Sequence, residues 1–190
     1  MRSEGAVAAL ASLLFLAPLA SGAEVLERIL AVVDTRPLLL SETLAFEAVR
    51  RVDRAAALEA LIDEHLMYAE ASRLPQSAVS AEEEEKAYAS LASRAGDRAR
   101  RIAEADLRTL ARCETAILKY VHFRFLPQIR VDDAAVRDAY DADFGEKAGA
   151  PRFEDVAQGI RQRLVDRELD LRIESWVKEL RAGAAIRYNP

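Results

Sequence analysis

The stretch Ala57-Leu58-Glu59-Ala60-Leu61-Ile62-Asp63-Glu64-His65-Leu66-Met67-Tyr68-Ala69-Glu70-Ala71 decides the class of the fold. Leu58, Leu61, Ile62, Leu66 and Ala69 recur at steps of three and four, which places them on one face of an α-helix. Asp53 stands where an N-cap is needed, because its carboxylate can accept from the first free amides. Pro75 limits the helix at Leu74, since the residue before a proline is pushed out of helical geometry.

The same periodicity extends outward in both directions. On the N-terminal side, Ser41 is a candidate N-cap for a helix to about Val52 with Leu44, Ala45, Ala48 and Val52 on its apolar face. Before it, Val25 to Val33, the turn-forming Asp34-Thr35-Arg36-Pro37 and Leu38 to Leu40 read as a strand pair. On the C-terminal side, Ser80 and Glu83 form a capping box, and the helix they open carries Ala87, Tyr88, Leu91 and Ala92 before Gly96. The acidic run Glu82 to Glu85 lies in its first turn, where carboxylates complement the helix dipole and stay solvated.

Leu107, Leu110, Ala111, Ile117, Leu118, Val121 and Phe125 stripe a longer helix that ends near Leu126, ahead of Pro127. Asp132 caps a short helix carrying Ala135, Val136, Ala139 and Tyr140, and Gly145, Gly149 and Pro151 mark a loop. The last helix starts near Phe153 and carries Val156, Ile160, Leu164, Leu171, Trp176, Val177 and Leu180 over roughly 40 Å. That is too long for one small core, so it bridges two parts of the molecule, with Trp176 and Leu180 as core residues. Gly183 ends it, and Ala185 to Tyr188 is extended and suited to pair with the strand at Ile29 to Val33, since short lone strands are unstable. The fold expected is mainly α, with a small N-terminal strand pair joined by a C-terminal strand.

Residues 1–23 read as a signal peptide: Arg2, then an apolar run from Ala6 to Leu19, then Ser21-Gly22-Ala23. The run has about 14 residues and contains Pro18, short of the roughly 20 needed to span a bilayer. Cleavage after Ala23 leaves a single domain over 24–190 in the periplasm, and an uncleaved anchor is the rival reading. The net charge of −5, with 27 basic and 32 acidic residues interleaved, provides no basic stripe for nucleic acid. The single Cys113 forms no intramolecular disulfide.

Chemistry-bearing residues are sparse. His65 and His122 fall in different helices with no ligand-spaced partner, so no zinc site is expected. Cys113 has no C-x-x-C partner and reads as a small buried hydrophobe. Asp63-Glu64 and Asp132-Asp133 are placed at a helix start or on a solvated helix face. No phosphate loop, dinucleotide fingerprint or nucleophile elbow is present, and neither a catalytic residue, a metal nor a cofactor is expected.

Three segments carry a family resemblance. Leu30-Ala31-Val32-Val33-Asp34 followed by Pro37 to Glu42 resembles the opening of SurA-type periplasmic chaperones and peptidyl-prolyl isomerases. Ala57 to Ala71 is similar to that family's L-x-x-L-I-D-x-x-L helix and is followed by Val79 to Glu83. Glu104 to Leu107, Ile117 to Phe125, Ile129 to Asp133 and Val136 to Tyr140 follow the family's later helices in serial order. Where the family carries a parvulin-type catalytic module, only the short loop 141–152 is present, and Phe153 to Leu180 with Ala185 to Tyr188 resemble the closing helix and strand.

The resemblance implies a SurA-like core acting as an ATP-independent periplasmic chaperone for unfolded exported polypeptides, outer-membrane proteins among them, without isomerase activity. A divergent isomerase and an envelope assembly protein with one dedicated partner are the alternatives. Candidate client-binding residues are Phe46, Met67, Tyr88, Tyr120, Phe123, Phe125 and Phe144. Phe123 and Phe125 point about 200° apart on a helix, so both cannot face one core.

Overall fold

A computed structural model describes residues 27–145, 147 and 149–189. The expected leader over 1–23 lies outside these residues. Two strands, β1 (Ile29–Val33) and β2 (Arg36–Leu39), form a hairpin, and β3 (Ile186–Tyr188) pairs antiparallel with the free edge of β1, giving the order β2-β1-β3. Ala31 faces Tyr188 and Val33 faces Ile186, which is the closure expected from the two extended ends. At the hairpin turn Asp34 takes a left-handed φ of 54°, a conformation that Asp tolerates better than most side chains. Its backbone N–H donates to the Ala185 carbonyl at 2.8 Å, and its carboxylate accepts from the Ala185 N–H at 2.9 Å. One turn residue therefore holds the incoming end of β3.

Among the described residues six helices follow: α1 (Leu40–Arg50), α2 (Arg54–Ala71), α3 (Ala81–Ala95), α4 (Glu104–Arg124), α5 (Asp133–Asp143) and α6 (Phe153–Gly183). Short 3₁₀ turns cover Pro75–Ser77, Gly96–Arg101 and Leu126–Gln128. The caps follow from side chains. Asp53 accepts from Ala56 N–H, Asp132 accepts from Ala135 N–H, and Ser80 and Glu83 exchange bonds reciprocally.

Ser41 is a correction. The N-cap lies two residues earlier, at Leu39, and Glu42 reaches back to accept from the Leu39 N–H at 2.9 Å. A carboxylate on the third helical residue replaces the hydroxyl, so β2 runs into α1 without a separate cap. The helix also stops at Arg50 rather than Val52, because Arg51 turns left-handed with φ 58°. Similarly, α2 ends at Ala71, and Leu74 leads into the 3₁₀ turn.

The main core gathers Ala31, Val33 and Leu38 from the sheet, Ala45, Phe46 and Val49 from α1, Leu61, Ile62 and Leu66 from α2, Leu91 from α3, and Leu107 and Leu110 from α4. A second, smaller core joins Ala71, Tyr120, Val121 and Trp176. Leu180 touches both. Trp176 is buried, as expected, whereas Leu180 is only half-buried because it sits where the two cores meet.

The 31 residues of α6, about 46 Å at 1.5 Å each, serve both ends of the molecule. Its start is held by α5: Arg161 donates to the Val131 carbonyl at 2.7 Å and pairs with Asp133, and Tyr140 packs edge-on against Phe153. Its end is held by α2, through Arg181 on Glu59 and Asp63.

Candidate functional site

β2, α1, α2 and α4 leave a cleft of about 210 Å³ between them. Leu38, Ala45, Leu61 and Leu110 supply apolar walls, and Glu64, His65, Tyr68, Thr109 and Cys113 supply polar groups. Arg36 and Glu42 stand at the rim, paired with each other at 2.5 Å, and Arg112 at the same rim is engaged by Glu84 at 2.8 Å.

The polar groups inside are held uncharged. Glu64 is only 5% exposed, although the sequence placed it on a solvated face. Burial, reinforced by the nearby Glu114 carboxylate, pushes its carboxyl up to about 8, against the opposing pull of Arg50. Arg50 lies 4.0 Å from Glu64 but 2.9 Å from Glu114, so its guanidinium is committed to Glu114 and leaves Glu64 protonated at neutral pH.

Burial lowers the His65 imidazole below its ordinary value, and the Arg36 cation adds to the effect. Burial raises the Cys113 thiol to about 12, with the Glu64 carboxylate as the next cause. Both are neutral at pH 7. Asp106, also lining the cleft, is shifted upward by burial and by Glu27. The cleft therefore offers apolar contact and, at Glu64, His65 and Cys113, neutral hydrogen-bonding groups. A thiol held protonated is a poor nucleophile.

None of the seven expected client-binding residues lines this cleft. Two of them are corrected outright. Phe46 is 3% exposed in the main core, and Tyr120 is buried with its ring stacked on Trp176 at 4.8 Å between centroids, so neither is available to a client. Met67 packs against the second core, and Tyr88 packs against the first with the Arg108 guanidinium 4.3 Å from its ring centroid. Phe125 rests edge-on against Trp176 at 5.4 Å, and Phe144 packs on Tyr140 at 5.2 Å. Phe123 is 53% exposed, so the two phenylalanines do face opposite ways, with Phe123 outward.

Glu64 was missed because acidic residues were assigned to solvated faces. The signal was present: Ala57, Leu61, Glu64, Tyr68 and Ala71 step by four, three, four and three along one face of α2, and Ala57, Leu61 and Ala71 are buried. A glutamate in the middle of that stripe is a buried carboxyl. His65 and Cys113 are 48 positions apart in sequence, and only the packing of α2 on α4 brings them to one cleft.

Among the described residues no cluster of His, Cys, Asp and Glu has metal-binding geometry, and no helix is long and apolar enough to cross a membrane. No family model matches the chain, and no curated protein or solved structure matches it either.

Proposed function

We propose that this chain is an ATP-independent periplasmic chaperone that holds unfolded exported polypeptides, outer-membrane proteins among them, without isomerising proline. The observation that carries the reading is the apolar-walled cleft in which burial keeps Glu64, His65 and Cys113 neutral. An unfolded segment presents apolar side chains and unpaired backbone amides together. A site with leucine walls, a protonated carboxyl, a neutral imidazole and hydroxyls receives both without demanding a counter-charge. A cavity of roughly 150 Å³ accepts a benzene ring, so this one takes a large apolar side chain with part of its backbone.

The serial resemblance to SurA-type proteins supports the same reading, as does the strand closure β2-β1-β3 with only residues 144–152 between α5 and α6, the expected loop 141–152 being shorter because α5 runs on to Asp143.

Fluorescence anisotropy with a labelled, urea-unfolded outer-membrane β-barrel protein, diluted into wild type at low and high salt, tests this. Binding at micromolar protein with little salt dependence is expected, because apolar contact is not screened. Thr109→Trp, which fills the mouth of the cleft from an exposed position, weakens it. Absence of binding, or affinity that collapses with salt, removes the reading in favour of an envelope protein with one dedicated partner.

One observation favours a second reading. Glu64, whose carboxyl burial pushes up to about 8, and His65, which burial keeps neutral, line one cleft and are candidates for a general acid and a general base. A proline-peptide isomerase assay separates the two, since rate enhancement lost in Glu64→Gln establishes the enzyme.

A further inference from the structure

A second groove, of about 480 Å³, runs along the outer face of α1 against the 3₁₀ turn Gly96–Arg101. Leu44 and Ala48 lie one turn apart on its floor, and Val52, 38% exposed, continues that line past the helix end. Ile102 faces them from the other wall. Three guanidiniums stand over this aliphatic floor: Arg51, Arg98 and Arg101.

Their state differs from that of the arginines around them. Arg54 is engaged by Glu47, Arg94 by Glu114 and Arg100 by Asp97. Arg98 and Arg101 have no ion-pair partner among the described residues, and Arg51 reaches only the Arg94 carbonyl, at 3.4 Å. The turn is fixed where these arginines are needed, because Gly96 at φ 58° redirects the chain at the end of α3. In a chain of net charge −5, this is a local excess of cations beside half-buried Leu44, Ala48 and Ile102 and exposed Val52.

We propose that this groove binds extended client segments in which an aliphatic block is flanked by acidic side chains. The proposal rests on the chaperone reading and names the client class. The aliphatic block lies on Leu44, Ala48 and Val52, and the flanking carboxylates take the fork-shaped donors of Arg98 and Arg101. Glu47 also lines the groove, its carboxylate held by Arg54 at 3.3 Å. A phosphate surface presents no backbone N–H donor to that carboxylate. A peptide, which carries backbone N–H donors beside its carboxylates, fits the mixed lining of arginines and Glu47.

The test uses two short fluorescein-labelled peptides with the same Leu-Val-Ile block, one flanked by aspartates and one by lysines, titrated with the protein at low and at physiological salt. The aspartate peptide is expected to bind wild type about three- to tenfold more tightly at low salt, the range of two exposed ion pairs. The preference shrinks as salt rises. It disappears in Arg98→Ala/Arg101→Ala, inverts in Arg98→Glu/Arg101→Glu, and survives Thr109→Trp. Equal affinity for both peptides, or a preference unchanged by the double variants, overturns the proposal. If the unfolded β-barrel protein still binds in that case, the chaperone reading stands, and if nothing binds, both fall. Phosphatidylglycerol vesicles that capture the protein through Arg98 and Arg101, with no discrimination between the peptides, overturn it in favour of a membrane surface.

Discussion

The Arg181 guanidinium of α6 donates at 2.9 Å to the Glu59 carboxylate of α2 and also pairs with Asp63 one turn further along. It donates in addition to the Glu59 backbone carbonyl at 3.0 Å. One side chain thus fastens the end of the last helix to the second.

Replacing Arg181 by leucine breaks all three bonds while keeping much of the side-chain volume. The expected loss is about 1–2 kcal/mol in urea unfolding, the range for charge-assisted bonds discounted for partial exposure. A double-mutant cycle with Asp63→Ala should return a favourable coupling, and a coupling of zero shows that the contact is decorative.

Phe123 and Phe125 are two residues apart and should respond oppositely. Phe123→Ser is expected to leave stability within about 0.5 kcal/mol, as surface changes do, because its ring is exposed. Phe125→Ala should cost about 1–3 kcal/mol because its ring is half-buried on Trp176. Trp176→Ala, which empties the second core, should cost about 3–5 kcal/mol. Thermal or urea unfolding of the three variants checks the order, and a Trp176 effect below about 1 kcal/mol contradicts the packing described.

Glu64 makes stability depend on pH. Its carboxyl is raised from an ordinary 4.5 to about 8 in the folded chain, so the folded state binds the proton more tightly than the unfolded state. The contribution is fully present below pH 4.5, is lost as pH rises through about 8, and is constant above that. Glu64→Gln lacks this titration. It should therefore gain on wild type by about 1–3 kcal/mol between pH 5 and pH 8 in matched urea melts. A stability difference that does not change between the two pH values places Glu64 in water.

Cys113 should resist thiol reagents. With its thiol pushed up to about 12, the reactive thiolate is scarce at pH 8, and labelling of the native protein by a colorimetric disulfide reagent should be at least about a hundredfold slower than in urea. Equal rates would mean an open, solvated thiol.

The helices were legible because their signals are local. Asp53, Ser80 with Glu83, and Asp132 cap their helices as expected from sequence, and the closing strand could be foreseen because two short extended segments each lacked a partner. The cleft was much less legible. His65, Tyr68 and Thr109 are ordinary helix residues until α2 and α4 are laid side by side. Phe46 and Tyr120 were misplaced because aromatic character alone does not say which side of a helix faces the core. Glu64 is the intermediate case, since its position within an apolar stripe was visible but its charge drew it to the surface reading.

The pairing of β3 with β1 constrains how this chain acquires its structure. Val33 meets Ile186, and the Asn189 N–H donates to the Leu30 carbonyl at 2.8 Å. These contacts bridge a separation on the order of 150 positions, the kind of long-range pairing that slows folding. The β1-β2 hairpin can form as soon as its two strands are free, but its outer edge stays unpaired until Ile186 to Tyr188 arrive. A chain synthesised from its N-terminus therefore carries an open strand edge, a template for self-association, while the helices between β1 and β3 are made. Deleting Ile186 to Asn189 would make that transient exposure permanent.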